Sequence, residues 1–176
     1  HSETVLSPQR LPSPPAAPPD LRWPLLVVGL LLGIGFAASA RFADRYPIER
    51  WWFAVVGTLY ASLAGIAGVL MLVLWFATAH RAAWANENLL LFNPLAWLLI
   101  PALWRLRKQR ASTSRLGLIV AGLMALLSLF AFVSKLTPWF PQHNLPWILF
   151  ALPAWLGMLA GLWLMRDKRL SAIERE

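Results

Sequence analysis

Trp23-Pro-Leu-Leu-Val-Val-Gly29-Leu-Leu-Leu-Gly33-Ile-Gly-Phe-Ala-Ala-Ser-Ala40 decides the class of this chain. Eighteen residues pass without a charge before Arg41. At about 1.5 Å per helical residue they cover about 27 Å, close to the hydrocarbon thickness of a bilayer. Four more apolar runs follow, at about Trp51 to Ala79, Leu89 to Trp104, Leu116 to Ser134 and Trp147 to Met165. The pattern predicts an all-α integral membrane protein with about five transmembrane helices. The second run is long and should tilt or extend beyond the core. The third is short and interrupted by Pro94 and Pro101. It reads either as a kinked span or as an interfacial or re-entrant piece.

Composition points the same way. The chain is 59% apolar and only 14% charged, where a soluble domain carries about 25% charged residues. The net charge of +8 sits in short connectors, where basic residues set membrane orientation; no nucleic-acid partner is expected. Cysteine is absent, so this chain supplies no disulfide, thiolate nucleophile or cysteine zinc site.

Working outward from the first run, residues 1–22 contain six prolines. That density denies backbone donors and favours an extended, disordered Pro-rich linker. A linker joins two things, so a further domain is expected on its amino-terminal side; a short frayed tail is the alternative. Residues 23–165 then form a five-helix membrane domain and 166–176 a basic tail.

Five spans put the two ends on opposite sides. Connectors 41–50, 105–115 and 166–176 hold twelve of the sixteen basic residues. The other side holds Arg10, Arg22, Arg81 and Lys135. The positive-inside rule places the twelve in the cytoplasm. The linker, the stretch 80–88 and the loop 135–146 then face outward. Small residues supply packing faces: Gly29 and Gly33 in the first run, Gly57, Ala61, Gly65 and Gly68 in the second, Gly157 and Gly161 in the fifth.

The polar interruption Thr78-Ala-His80-Arg-Ala-Ala-Trp84-Ala-Asn86-Glu87-Asn88-Leu-Leu-Leu-Phe-Asn93-Pro94-Leu95 carries whatever chemistry the chain offers. If the second helix continues past His80, then His80, Trp84 and Glu87 or Asn88 share one face. His80 and Glu87 are then candidate catalytic residues, as general acid and base. With His143 they also make a two-His, one-Glu set of the kind zinc accepts. No metal-motif spacing accompanies it, and no metal or cofactor is expected. The competing reading is structural. Asn93-Pro94 is a helix-start signal, and Asn86 and Asn88 can satisfy backbone groups where the chain re-enters the bilayer. Polar side chains at membrane depth are costly and tend to be functional, which favours a site.

The pattern His80-x3-Trp84-x-Asn86-x-Asn88-Leu89-Leu90-x2-Asn93-Pro94-Leu95 resembles one in the membrane half of Lnb-type proteins, bacterial lipoprotein N-acyltransferases and their relatives. The resemblance covers about residues 78–95 and the order of the surrounding helices. It implies several membrane helices after an N-terminal periplasmic domain in the bacterial inner membrane, with this motif on the periplasmic side. It also implies that the nucleophilic thiol lies in the periplasmic domain. This half would anchor that domain and shape a lipid or lipoprotein acyl-transfer site, with His80, Trp84, Asn86, Asn88 and Asn93 along its rim. Membrane lipids, lipoproteins and the periplasmic domain are the partners it implies. A plain anchor or assembly module is the alternative. A small transporter fits less well, because runs one, two, four and five carry no ionisable residue at their centres and show no inverted duplication.

Overall fold

The computed structural model describes residues 19–78, 85–108, 113–138 and 141–173, with side chains through Arg166. Helix α1 runs Arg22–Phe42, α2 Pro47–Ala77, α3 Leu99–Arg105, α4 Arg115–Ser134 and α5 Leu145–Ile173. Two 3-10 turns, Glu87–Leu90 and Pro94–Leu98, lead into α3. The described residues contain no strand. Five segments are long and apolar enough to cross a membrane, the third being Glu87–Arg105. This is a multi-pass membrane protein.

α1 packs most extensively on α5, although the two are farthest apart in sequence. Their glycines make this possible. A Cβ on Gly29 would overlap the backbone of Phe150, one on Gly33 the carbonyl of Pro153, and one on Gly157 the backbone of Gly33. Contacts advance in the same direction along both helices, so α1 and α5 run parallel. Lipid offers no hydrophobic drive between helices, so close backbone approach must supply the van der Waals contact. Trp155, Met158 and Leu162 of α5 are fully buried, and α4 covers α5 from another side. Ile34, Leu59, Ile119 and Leu126 point outward, as apolar side chains facing lipid should.

The connectors are tied by few, specific bonds. Pro47 starts α2 at its first position, where a missing N–H costs nothing. Arg50, on the first turn of α2, donates to the Asp44 carboxylate at 2.7 Å and to the Ala43 carbonyl at 3.2 Å. Arg107 lies over the Trp104 ring at 3.8 Å and the Trp51 ring at 4.9 Å. The Thr113 hydroxyl donates to the Leu162 carbonyl at 2.8 Å. The three basic connectors therefore meet at one end of the bundle. Ser114 caps α4 by accepting from Gly117 N–H at 3.1 Å.

The structure refines three sequence readings. α2 stops at Ala77, because Thr78 turns to extended geometry; it does not carry through to Glu87 as one helix. The third run is two 3-10 turns followed by only seven α-helical residues. It nonetheless reaches both ends of the bundle, because a 3-10 turn rises about 2.0 Å per residue. Gly57, Gly65 and Gly68 of α2 let this segment come close. A Cβ at Gly65 would overlap Trp97, and one at Gly68 would crowd Pro94 and the Phe92 carbonyl. Finally, α5 continues to Ile173, so the basic tail begins as helix.

The glycine contact generates a direct test. Gly33→Leu should lower the stability of the purified protein by about 2 kcal/mol or more, the range for an overpacked core. Leu126→Ala, on the lipid-facing side of α4, should change it far less. Thermal unfolding in detergent measures both.

Candidate functional site

The end of the bundle opposite the basic connectors gathers the start of α1, the 85–93 stretch and the 135–145 connector. Ala85 has φ 50°, a left-handed geometry uncommon for alanine. Next to it Asn86 caps the first 3-10 turn, its side-chain oxygen accepting from Asn88 N–H at 3.0 Å. Asn93 repeats the device one turn later. Its oxygen accepts from Leu95 N–H at 3.0 Å, and its amide donates to the Leu89 carbonyl at 3.3 Å. Short polar side chains are favoured at such caps because they satisfy backbone donors the turn leaves open.

Glu87 faces inward and is buried. Its carboxylate accepts from the Gln142 backbone N–H at 3.0 Å and from the Lys135 ammonium. The Gln142 side chain returns a bond, accepting from Glu87 N–H at 3.0 Å. Lys135 also donates to the Gln142 carbonyl at 2.9 Å. Beside this ring, the Asn144 amide donates to the Asn88 side-chain oxygen at 3.1 Å. Asn144 is buried, and its own side-chain oxygen has no hydrogen-bond partner among the described residues. Five side chains from two connectors form one polar clasp.

Beneath the clasp lies a cavity of about 440 Å³. It is lined by Tyr60 and Met71 of α2, Asn88 and Phe92 of the third segment, and Trp147 and Phe150 of α5. The rings brace one another. Phe92 meets Trp147 at 6.0 Å, Phe150 meets Tyr60 at 5.9 Å, and Tyr60 meets Trp155 at 4.6 Å. The Trp155 indole donates to the Leu91 carbonyl at 3.0 Å, which fastens the third segment to α5.

The structure thus separates the candidates. Asn86 and Asn93 direct their oxygens at backbone. Glu87 sits in the clasp. Asn88 belongs to both the clasp and the cavity. His80 and Trp84 lie outside the described residues. His143 is exposed, and among the described residues no group of three His, Cys, Asp or Glu side chains could hold a metal. Sequence reading missed Lys135, Gln142 and Asn144. One signal was available: Lys135 and Glu87 are charged groups assigned to the same face, and such charges at membrane depth pair.

Five spans, a polar clasp at one end and an aromatic cavity below it define a small helical membrane protein with a candidate site at that end. A family model described as the Lnb transmembrane domain matches residues 18–169. The chain belongs to that family. No curated protein and no solved structure matches it.

The clasp makes a double-mutant prediction. Lys135→Met or Glu87→Leu alone leaves a mostly buried charge without its partner and should cost about 3 kcal/mol. The double substitution should cost clearly less than the sum of the two, because the charges are coupled. Thermal unfolding of the three variants in detergent, compared as a cycle, measures the coupling.

Proposed function

We propose that this domain anchors an extracytoplasmic catalytic domain in the bacterial inner membrane and gives it a fixed rim for lipid or lipoprotein acyl transfer. The clasp carries this reading. It occupies the bundle end where α1 begins, which is the side from which the Pro-rich stretch departs. The twelve-to-four distribution of basic residues supports a periplasmic orientation for that end.

The chemistry assigned here to the membrane half is positioning. Without cysteine it contributes no thiol nucleophile. The Asn88 amide, held by Asn144, is suited to hydrogen-bond an ester carbonyl or a headgroup at the mouth of the cavity. Lys135 and Glu87 satisfy each other, which keeps the rim rigid without leaving an unpaired charge at the interface. Pre-positioning of this kind lowers the entropic cost of bringing an acyl group to a nucleophile supplied by another domain. Glu87 supports the rim in this reading; the rim candidates His80 and Trp84 lie outside the described residues.

A plain anchor is the second reading, and one observation favours it. Asn86 and Asn93 spend their side-chain oxygens on the backbone of their own turns, as a well-capped structural connector would.

Two variants of the full-length protein in cells separate these readings. Asn88→Leu should reduce lipoprotein N-acylation by about tenfold, the loss of one good polar contact, at unchanged membrane abundance. Replacing the five-helix domain by an unrelated anchor should abolish it. Full acylation in both would leave only the anchor. Orientation is checked independently: a thiol introduced by Ala85→Cys should react with a membrane-impermeant reagent from the periplasmic side. Reaction only from the cytoplasmic side would overturn the topology.

A further inference from the structure

We infer that the cavity beneath Asn88 is a preformed binding slot for one acyl chain of a glycerophospholipid, taken from the leaflet on the clasp side. The assignment deepens the acyl-transfer reading above and rests on it for the side toward which the slot opens.

Depth is the first argument. The α2 wall runs from Tyr60 to Met71, eleven residues or about 16 Å of helix. Its floor, the Tyr60 ring, packs at a tilt against Trp155, which is ten residues and about 15 Å into α5 from Leu145. Both routes measure about half of a 30 Å hydrocarbon core. The slot is one leaflet deep.

Polarity is the second. Among the described lining residues Asn88 alone carries a side-chain amide, and it stands at the clasp end. The remaining wall is apolar or aromatic, with single polar atoms on Tyr60 and Trp147. A ligand with a long apolar body and one acceptor-bearing end matches that order. A headgroup or a peptide buried along the whole slot would leave its polar groups unpaired.

Size is the third. The cavity of about 440 Å³ falls in the range of about 300–1,000 Å³ typical of pockets that take one small ligand. The interlocked rings hold the walls apart without a ligand, so little ordering is needed when a chain enters. Met71, at the clasp end of the α2 wall, is an adaptable side chain suited to chains of different shape.

The test uses the full chain in vesicles of phosphatidylethanolamine and phosphatidylglycerol. A phosphatidylethanolamine with a photoreactive diazirine in one acyl chain is the probe. Adducts should concentrate on slot residues such as Ala67, Phe92 and Phe150. A diazirine near the ester should favour Met71 and Trp147, and one at the methyl end should favour Tyr60. Ala67→Trp fills the slot and should cut these adducts by about tenfold or more; Leu126→Trp on α4 should not. Met71→Trp, at the mouth, gives a second filled variant if the first does not fold, and the adduct map of the unmodified chain decides alone if neither does. Adducts spread equally over Leu31 of α1 and Leu126 of α4 would overturn the slot. So would full slot labelling in a folded Ala67→Trp protein. Labelling by a diacylated lipopeptide probe but not by the phospholipid would overturn the occupant named here. Loss of adducts in Ala67→Trp, with lipoprotein acylation unchanged when the same substitution is made in the full-length protein in cells, would leave the slot standing and remove the acyl-transfer reading instead.

Discussion

Backbone meeting backbone between α1 and α5 is the constraint on which this bundle depends. Gly29 and Gly33 face Phe150, Pro153 and Gly157 with no side chain between them. In water, burying apolar surface would drive such helices together. In lipid that drive is absent, so contact density must replace it. The close approach also governs the remaining helices. It sets α5 at the centre, brings Trp155 beneath Leu91, and so decides where the third segment lies. Gly161 extends the seam, seating the Phe53 ring and the Phe36 carbonyl where a Cβ would otherwise stand.

The third segment shows how a membrane protein tolerates irregular backbone. A lipid-exposed chain must satisfy every N–H and C=O internally. Here the 3-10 turns receive Asn caps at their starts, a Trp155 bond at Leu91, and the Trp97 indole reaching the Ser62 carbonyl at 3.2 Å. The same interactions place Asn88 and Phe92 on the cavity. The irregular backbone thus brings both residues into the cavity wall.

How much of this was legible in the sequence depends on the range of the interaction. Span positions were readable because uncharged length is a local property. So was the start at Asn93-Pro94, where a cap and a proline adjoin. The exact end of α2 was not, because no proline or glycine marks it and the extended turn at Thr78 shows only in the backbone. The glycine pairs were visible as motifs, but which helices they would join was not, since each motif only says that something comes close. Glu87 and Lys135 are 48 residues apart. Their pairing depends on the connectors sharing one end, together with Gln142, whose side chain and backbone complete the ring. Asn88 and Asn86 look equivalent in sequence. The fold distinguishes them, because the cap at Asn86 turns its neighbour toward the cavity.

The parallel seating of α1 on α5 has a consequence for biogenesis. Within this domain the first helix to leave the ribosome has its main partner in the last. More than a hundred residues separate Gly33 from Gly157, which at about 5–20 residues per second is on the order of ten seconds of synthesis. Throughout that interval the glycine face of α1 is covered only by lipid or by the insertion machinery. Assembly is therefore late and concerted, and a chain truncated before α5 would present quality-control proteases with an unfinished, loosely held set of spans.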